Sequence, residues 1–329
     1  MSQKPYSKVV GTGVGIPKNI LTNFDLEKMV DTSDEWIKTR TGIETRYIVE
    51  DGQLTSDLGT EATLNALKDA NVSPEEVDTI IFATITADVG FPSTAVFVQK
   101  NIGAVNAAAF DIQAACTGFI YGLEMADAMI ATGRARTVVV IGGETLSRIT
   151  DYTDRNSCVL FGDGAGAVVL QPSDDDRGIL GTFLKSDGRL FDLLKMEGMG
   201  TKNPPTSKTY NPKFQYIEMQ GREVFKHAVT CMGDAAEYIL QRNDMTSEDV
   251  DLLIPHQANI RIIDATAKRI NMPPEKVFVN VNKYGNTSAA SIPLAIDEAR
   301  RQGRLNDNDV AAFVAFGGGF TWGSALIRF

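Results

Sequence analysis

Short runs of apolar residues alternate along this chain with segments of helical periodicity. The segment 72–86 predicts a loop followed by a buried strand, and 107–113 predicts a second strand. In 117–133 the apolar side chains recur at helical spacing, which predicts an amphipathic helix before a further strand over 137–144. This alternation predicts an α/β protein with largely parallel sheets.

The same plan occurs twice in the sequence. SPEEVDTII (73–81) resembles TSEDVDLLI (246–254), and VVVIGG (138–143) resembles FVAFGG (313–318). We therefore expect an internal duplication with an N-terminal half over 1–172 and a C-terminal half over 173–329. The alternative is that α/β segments resemble one another through composition alone.

The duplication also relates two helix starts to each other. Cys116 opens a segment that reaches Gly133 after 17 residues, and Asn286 opens one that reaches Gly303 after 17 residues. Counted in this way, Cys116 and Asn286 are predicted to be equivalent positions. If equivalent strand ends meet where the halves pack, both residues lie near one site.

Composition and charge narrow the classes of function. A net charge of −10 over 329 residues argues against general nucleic-acid binding. No apolar run approaches the ~18 residues of a membrane span, and no secretory signal is expected. The three cysteines form no disulfide framework, and with two histidines and no CxxC no metal site or cofactor is expected. These features predict a reduced, cytoplasmic protein.

Cys116 is the first candidate for chemistry. It lies where a predicted strand gives way to a predicted helix, with small neighbours on both sides. Exposed N–H groups and the dipole at a helix start stabilise an anion, which favours a nucleophilic thiolate. The alternative is a buried structural cysteine, which is a common fate of a lone cysteine.

His256, Asn286 and the glycines after residue 316 are further candidates. His256 ends a predicted strand, where a side chain can face a cleft or be a structural histidine. Asn286 lies in a Gly-Asn-Thr-Ser turn, where it could cap a helix or donate its amide to a carbonyl oxygen. The three glycines allow backbone N–H groups to face a ligand, as an oxyanion hole requires, or simply form a tight turn.

Two further segments qualify this picture. GTGVG (11–15) has Ile16 where a dinucleotide-binding fingerprint needs its third glycine, so no such cofactor site is expected there. The segment 195–216 is rich in Pro, Lys, Asn and Thr, which predicts a surface excursion that is either a lid or an insertion.

Seven blocks in order carry a resemblance to a known family. They are DTSDEWIKTRTGIETR (31–46), GFPSTA (90–95), ACTGF (115–119), FGDGAGAVVL (161–170), PHQANIRII (255–263), GNTSAASIP (285–293) and GGGFTWGSAL (317–326). Together they closely resemble β-ketoacyl-acyl carrier protein synthase III, the initiating condensing enzyme of type II fatty acid synthesis in the thiolase superfamily. The resemblance implies an α/β fold of two duplicated halves in five α-β-α-β-α layers. This chain departs from the family mainly in the segment 195–216, which looks longer than usual.

The resemblance also implies roles for particular residues. The catalytic residues would be Cys116, His256 and Asn286, with an oxyanion hole made by the backbone N–H groups of Cys116 and Gly318. The residues implied to contact coenzyme A or the acyl group are Trp36, Arg40, Arg155, Phe91, Phe161 and Asn259. Phe91 would reach across the interface of a homodimer. The implied substrates are a short acyl-CoA, acetyl-CoA by default with branched or longer groups open, and malonyl-acyl carrier protein (malonyl-ACP).

A docking surface for the acidic acyl carrier protein follows from the same resemblance. Arg261, Lys268 and Arg269 have spacings of 7 and 8, which places them on one face of a predicted helix. The full set implied to contact the carrier protein is Gln257, Ala258, Asn259, Ile260, Arg261, Lys226, Lys268 and Arg269. The alternative is an ordinary solvated helix face.

Other readings of the site remain at this stage. Another branch of the superfamily could make a secondary metabolite or hydroxymethylglutaryl-CoA. A thiolase would need a second active cysteine, which the Gly-rich C-terminal stretch lacks, and an elongating condensing enzyme would need a histidine where Asn286 stands. A Cys/His/Asn hydrolase and a non-enzymatic acyl-binding subunit are the remaining alternatives.

Overall fold

A computed structural model describes residues 7–329, which form 13 strands and nine α-helices. The strands are β1 (Ser7–Gly15), β2 (Asn19–Thr22), β3 (Thr45–Ile48), β4 (Thr79–Ala83), β5 (Ala108–Ile112), β6 (Val138–Thr145), β7 (Asp163–Pro172), β8 (Gly178–Ser186), β9 (Leu194–Lys195), β10 (Glu218–Met219), β11 (Leu252–Pro255), β12 (Val310–Gly317) and β13 (Thr321–Arg328). The helices are α1 (Asn23–Leu26), α2 (Asp34–Thr41), α3 (Thr55–Ala70), α4 (Thr94–Ile102), α5 (Gly118–Ala131), α6 (Gly221–Arg242), α7 (Ile260–Arg269), α8 (Val281–Tyr284) and α9 (Ser291–Arg301).

Two sheets form the framework of the molecule. The first has the strand order β1-β7-β6-β4-β5, and the second has the order β11-β12-β13-β8. β4 is parallel to β5 and β6, and β11 is parallel to β12, whereas the remaining pairings in these sheets are antiparallel. The prediction of largely parallel sheets is therefore wrong, because β7 and β13 return beside the strands that directly precede them.

The two sheets repeat one local arrangement. The Asp78 N–H donates to the carbonyl of Thr137 (2.9 Å), and the Asp78 carboxylate accepts from the Thr137 N–H (2.9 Å). Asp251 makes the same pair of contacts with Val310, each at 2.8 Å. Both aspartates thus join the start of one central strand to the next, at an offset of 173 positions. The repeat supports a duplication, and a boundary at residue 172 stays a prediction.

The core is divided into layers by the helices. α5 and α9 lie between the two sheets, where Phe119 and Ile292 pack in one cluster with Val140 of β6 and Phe313 of β12. α3 and α4 cover the outer face of the first sheet, and α6 and α7 cover that of the second. The predicted five-layered α/β fold is confirmed.

The Gly-rich start of the chain serves this packing. A Cβ at Gly11 would lie 2.4 Å from the carbonyl oxygen of Ala66, and one at Gly15 would lie 2.1 Å from that of Leu58. Only glycine therefore allows β1 to pack directly on the backbone of α3. Among residues 7–329, no helix combines the length and the apolar character needed to cross a membrane.

Candidate active site

Cys116 lies at the transition from β5 to α5. A short 3₁₀ turn, here called the Cys turn (Ala115–Thr117), precedes the helix, and the cysteine is partly exposed. Ala115 has φ of +46°, a left-handed conformation that is strained for a residue with a Cβ. The Cys116 N–H donates no hydrogen bond to a backbone carbonyl of the described residues. This strand-turn-helix arrangement presents the thiol and a free N–H group together.

Burial opposes the ionisation of the Cys116 thiol. It raises the pKa of the thiol to about 12, and the charge of Glu144 acts in the same direction. Hydrogen bonding with Ser288 lowers the pKa of the thiol, as the helix start was predicted to do, but the effect of burial is larger. The resting thiol is therefore protonated at neutral pH, so acylation requires an acceptor for its proton.

His256 follows β11 and is buried, with 3% of its surface exposed. Its Nδ1 lies 2.6 Å from Ser291 Oγ, which also accepts from the Gln257 N–H at 3.4 Å. Burial lowers the pKa of the ring to about 3, so the imidazole is neutral at pH 7. The serine hydroxyl can donate to Nδ1 while it accepts from Gln257, and in that arrangement the ring proton lies on Nε2.

Asn286 can act both as a cap and as a hydrogen-bond donor to a ligand. Its Oδ1 accepts from the Ser288 N–H at 2.9 Å, so it caps the short 3₁₀ turn here called the Ser turn (Ser288–Ala290). Its backbone pairs with Leu160 and Gly162 at the end of the segment before β7. The side-chain Nδ2 donates no hydrogen bond to the part of the chain that the structure describes, so it is available to a ligand.

The Cys turn and the Ser turn occupy matching positions in the repeated arrangement. Ala115 and Ser288 both have positive φ, at +46° and +49°, and α5 and α9 begin at residues that are also 173 positions apart. The equivalence of Cys116 with Asn286 is therefore wrong, since Ala289 matches Cys116. The error arises because α9 has 11 residues and α5 has 14. Counting back 17 residues from Gly133 and from Gly303 therefore reaches positions that differ by three in the alignment of the two helix starts.

The glycines after β12 contact the Cys turn. A Cβ at Gly317 would lie 2.6 Å from the Cys116 nitrogen, so only glycine permits this approach. Thr321 Oγ1 donates to the carbonyl of Ala114 at 2.9 Å and joins the two segments. The Gly318 N–H, like that of Cys116, donates no hydrogen bond to the described backbone. Two donors are thus free beside the thiol.

A second group of predicted residues meets on α2. The guanidinium groups of Arg40 and Arg155 lie 5.0 and 4.8 Å from the ring centre of Trp36. Arg155 also pairs with Asp31 at 3.5 Å. Residues far apart in sequence thus form one cationic and aromatic surface, which suits a ligand with a planar ring and phosphate groups.

The other predicted contact residues have distinct surroundings. Asn259 caps α7 by accepting from the Arg261 N–H at 2.9 Å, and its Nδ2 donates to the carbonyl of Arg40 at 3.0 Å. Phe161 is buried with Leu146 and Ile217, whereas 89% of Phe91 is exposed.

The predicted docking residues are not all on the surface. Lys226, Arg261 and Lys268 are exposed, and Ala258, Asn259 and Ile260 are half-buried. Arg269 is exposed but paired with Glu237 (2.6 Å) and Asp234 (3.1 Å), which neutralise its charge locally.

The prediction that Gln257 contacts a carrier protein is wrong. Only 1% of this residue is exposed. Its Nε2 donates to the carbonyls of Pro255 and Phe278, and its Oε1 accepts from the N–H groups of Asn280 and Val281. Every hydrogen-bonding position of the amide is used inside the protein, so Gln257 holds the loops after β11 together.

Sequence reasoning missed three polar residues at this site: Glu144, Ser288 and Ser291. The serines belong to a block that was noted for its asparagine, and the glutamate follows the glycines at the end of β6. Their positions become meaningful only when the Ser turn packs against the end of β6, where a Cβ at Gly142 would lie 2.1 Å from the carbonyl oxygen of Ala289.

Solved structures resemble the whole chain. One is 3-oxoacyl-[acyl-carrier-protein] synthase III from Aquifex aeolicus, with a TM-score of 0.91, 50% identity, and coverage of 98% of this chain and 100% of that chain. Another is the priming β-ketosynthase of the R1128 polyketide biosynthetic pathway, with a TM-score of 0.92, 33% identity, and coverage of 100% and 98%. Fold and site together define a condensing enzyme of the thiolase fold.

Sequence comparisons narrow this class to one family. Models described as 3-oxoacyl-[acyl-carrier-protein (ACP)] synthase III and its C-terminal part match residues 110–188 and 240–329. A β-ketoacyl-[acyl-carrier-protein] synthase III from Caldanaerobacter subterraneus is 53% identical over 328 residues, covering 100% of this chain and 99% of its own. The chain belongs to the β-ketoacyl-acyl carrier protein synthase III family and is an initiating condensing enzyme of fatty acid synthesis.

The segment 195–216 is a surface excursion, as predicted. β9 and β10 pair at its base, and most residues between them are exposed. Its base lies beside the glycines after β12, since a Cβ at Gly318 would lie 3.2 Å from the carbonyl oxygen of Leu194. The near-complete match with the Caldanaerobacter protein leaves no long insertion here, so relative to that protein the expectation of extra length is wrong.

Proposed function

We propose that the protein condenses a short acyl-CoA, acetyl-CoA by default, with malonyl-ACP. The products are 3-ketoacyl-ACP, coenzyme A and CO2, and the reaction initiates type II fatty acid synthesis. The observation that carries the proposal is the Cys116 thiol beside two unpartnered backbone N–H groups, with a neutral His256 and a free Asn286 amide in the same region.

The first half-reaction is acyl transfer to Cys116. The thiolate attacks the carbonyl carbon of the acyl-CoA, and a tetrahedral oxyanion forms. The N–H groups of Cys116 and Gly318 donate to this oxyanion, where loss of one such donor typically costs about 3 kcal/mol of barrier. The carbon–sulfur bond to coenzyme A then breaks, coenzyme A leaves as a thiolate, and an acyl-enzyme remains.

The second half-reaction forms the carbon–carbon bond. The malonyl carboxylate leaves as CO2, and its bonding electrons form an enolate on the thioester. His256 Nε2 and Asn286 Nδ2 donate hydrogen bonds to the enolate oxygen, which a neutral imidazole with its proton on Nε2 can do without a prior protonation. The carbanion then attacks the acyl group, and the Cys116 thiolate leaves.

Substrate recognition follows the surroundings of the thiol. Trp36, Arg40 and Arg155 would bind the adenine and phosphate groups of coenzyme A, with Asn259 supporting this surface through Arg40. Phe161 and Leu146 would bound the acyl group. Phe91 would complete the pocket of a second copy in a homodimer, which its exposure supports.

Carrier-protein recognition would use the exposed basic residues of α6 and α7. Lys226, Arg261 and Lys268 are available to the acidic carrier protein, whereas Arg269 is already paired. Ala258, Asn259 and Ile260 would border this surface. A cytoplasmic location belongs to the same proposal and rests on the sequence.

The proposal is tested by the mass of the intact protein after incubation with acetyl-CoA. The wild-type protein is expected to gain one acetyl group, and Cys116→Ser is expected to gain none, because an alcohol is a far weaker nucleophile than a thiolate. Cys231→Ser is the matched control and should be acylated like the wild type. A panel of longer and branched acyl-CoAs then defines the starter group.

Two outcomes would contradict the proposal. One is a wild-type protein that forms no adduct with any acyl-CoA of the panel. The other is an acylated enzyme that releases the free acid in the presence of malonyl-ACP and makes no 3-ketoacyl product, since that result identifies a hydrolase.

A further inference from the structure

Gln257 follows His256 directly and is almost completely buried, with 1% of its surface exposed. Its side-chain amide makes four hydrogen bonds to backbone groups, two as a donor and two as an acceptor. This environment accepts the amide in one orientation only, because a flipped amide would face two carbonyls with its oxygen and two N–H groups with its nitrogen. Gln257 therefore fixes the four backbone groups relative to one another.

The two donated hydrogen bonds hold the strand that precedes His256. Nε2 donates to the carbonyl of Pro255 at 2.7 Å and to the carbonyl of Phe278 at 3.1 Å. Pro255 is the last residue of β11, and the Phe278 N–H donates to the carbonyl of Leu253 in the same strand at 2.9 Å. These contacts fix the end of β11 and with it the backbone that carries the imidazole of His256.

The two accepted hydrogen bonds hold the start of α8. Oε1 accepts from the N–H groups of Asn280 and Val281 at 2.9 and 3.2 Å. α8 is a single turn, in which the Gly285 N–H donates to the carbonyl of Val281 at 2.9 Å, and Asn286 is the next residue in the chain. The side chain of Gln257 thus joins the segment that carries His256 to the turn that leads into Asn286.

Asn286 is held on its other side by the segment before β7. Its N–H donates to the carbonyl of Leu160 at 2.8 Å, and its carbonyl accepts from the Gly162 N–H at 3.0 Å. These contacts tie Asn286 to the first sheet, whereas Gln257 ties the turn before Asn286 to the second sheet, which contains β11. Gln257 is therefore a direct link between the two segments that carry His256 and Asn286.

We propose that Gln257 is a positioning residue of the condensation step, which sets the distance and angle between His256 Nε2 and Asn286 Nδ2. The inference rests on the proposed role of these two groups as donors to the enolate oxygen. Both donors must point at one oxygen atom, and a displacement of about 1 Å at a reacting centre can cost about 100-fold in rate. Gln257 acts through the backbone on both sides and contacts no substrate itself.

The test separates the two half-reactions in Gln257→Met, which keeps the length of the side chain and removes all four hydrogen bonds. The maximal rate of labelled CO2 release from malonyl-ACP is expected to fall about 30-fold. The KM for malonyl-ACP and the rate of acylation by acetyl-CoA should each stay within about twofold of the wild type. The reason is that this buried residue is not accessible to the carrier protein and its amide makes no hydrogen bond to the Cys turn.

A second variant and a control accompany this measurement. Gln257→Glu keeps an acceptor for the N–H groups of Asn280 and Val281, so it serves if Gln257→Met does not fold. A carboxyl group has at most one proton for the two carbonyls, and CO2 release is expected to fall about fivefold. Gln99→Met is the matched control, because Gln99 is a half-buried glutamine on α4 whose Nε2 donates to the carbonyl of Ala107 at 2.9 Å. It should keep both half-reactions.

An Asn286→Ala background distinguishes positioning from a general loss of stability. Gln257→Met should cost less CO2 release in this background than in the wild type, because one of the two positioned donors is already absent. An equal fold-loss in both backgrounds would show that the substitution acts independently of Asn286 and would contradict the inference.

The remaining outcomes separate the inference from the proposed function. Folded Gln257→Met or Gln257→Glu that releases CO2 at the wild-type rate overturns the inference and leaves the proposed function intact. A raised KM for malonyl-ACP at an unchanged maximal rate also overturns it, since that result identifies a docking residue. A wild-type enzyme that releases no CO2 from malonyl-ACP instead overturns the proposed function.

Discussion

At the scale of residues, burial gives Glu144 and His256 opposite effects on stability. Burial raises the pKa of Glu144 from 4.5 to about 7, so the folded chain retains a proton that the unfolded chain releases, and stability falls as pH rises through this window. Burial lowers the pKa of His256 from 6.5 to about 3. The unfolded chain then binds a proton that the folded chain does not, and stability falls as pH drops through that range.

Glu144→Gln should remove the first of these effects. The free energy of unfolding of the variant, relative to the wild type, is expected to increase between pH 4.5 and 7 by up to about 1.4 kcal/mol per pH unit. Urea unfolding at pH 5 and pH 7.5 measures the difference. Glu61→Gln, at an exposed position of α3, is the matched control and should show no such change. An equal pH dependence in both variants would contradict the assignment of Glu144.

His256→Ala should separate the two half-reactions. Because His256 is assigned to the enolate and not to the thiol, the acetyl adduct on Cys116 should persist. Decarboxylation of malonyl-ACP should fall by about 100-fold, as expected for loss of a positioned donor. Release of CO2 from labelled malonyl-ACP measures this step, and unchanged release would rule out the role. Ser291→Ala, which removes only the partner of Nδ1, should give a smaller loss in the same step.

At the scale of elements, α7 joins two functions. Its first turn is held to α2 by Asn259, next to the surface formed by Trp36 and Arg40, and its outer face carries exposed basic residues. Arg261 also lies 5.4 Å from the ring centre of Phe225 on α6, which orients its guanidinium. The helix therefore connects the surface proposed for coenzyme A with that proposed for the carrier protein.

Arg261→Glu should weaken the use of malonyl-ACP far more than acylation by acetyl-CoA. Reversal of one charge facing an acidic partner is expected to raise the KM for malonyl-ACP about 10-fold or more. Steady-state kinetics at several salt concentrations, together with the acylation rate, check this result. Arg269→Gln is the comparison, and a smaller effect is expected because Glu237 and Asp234 already neutralise Arg269. An equal loss in both half-reactions would exclude a docking role for Arg261.

At the scale of the whole molecule, segments that follow strands of both sheets form one site. Cys116 and Glu144 lie at the ends of β5 and β6, whereas His256 and the glycines follow β11 and β12 and the Ser turn precedes α9. α5 and α9 share one core between the sheets, so the Cys turn and the Ser turn at their starts are held rigidly together. Outside this core, 89% of Phe91 is exposed, so its ring is accessible to the second copy in which it is proposed to complete the acyl pocket.

Phe91→Asp should weaken the proposed homodimer. A charge at the centre of an apolar contact is costly to bury, so the variant is expected to be monomeric at micromolar concentration where the wild type is dimeric. Size-exclusion chromatography with light scattering gives the mass of each. Phe24→Asp, at a phenylalanine that is 60% exposed on α1, is the control and should remain dimeric. A wild-type protein of monomeric mass would refute the dimer.

The sequence by itself was sufficient for the α/β class, the repeated plan and the family, because alternating apolar runs and seven local blocks carry them, and the five layers followed from the family resemblance. Only the tertiary structure decided the strand directions, the register of the Cys and Ser turns, the burial of Gln257 and the packing of the Ser turn against the end of β6. Cys116 and Ser288 are 172 positions apart, and their turns come together because α5 and α9, which begin directly after them, pack in one core. The protonation states of Cys116, Glu144 and His256 follow from the same packing, since desolvation is a property of the assembled core and not of the local sequence.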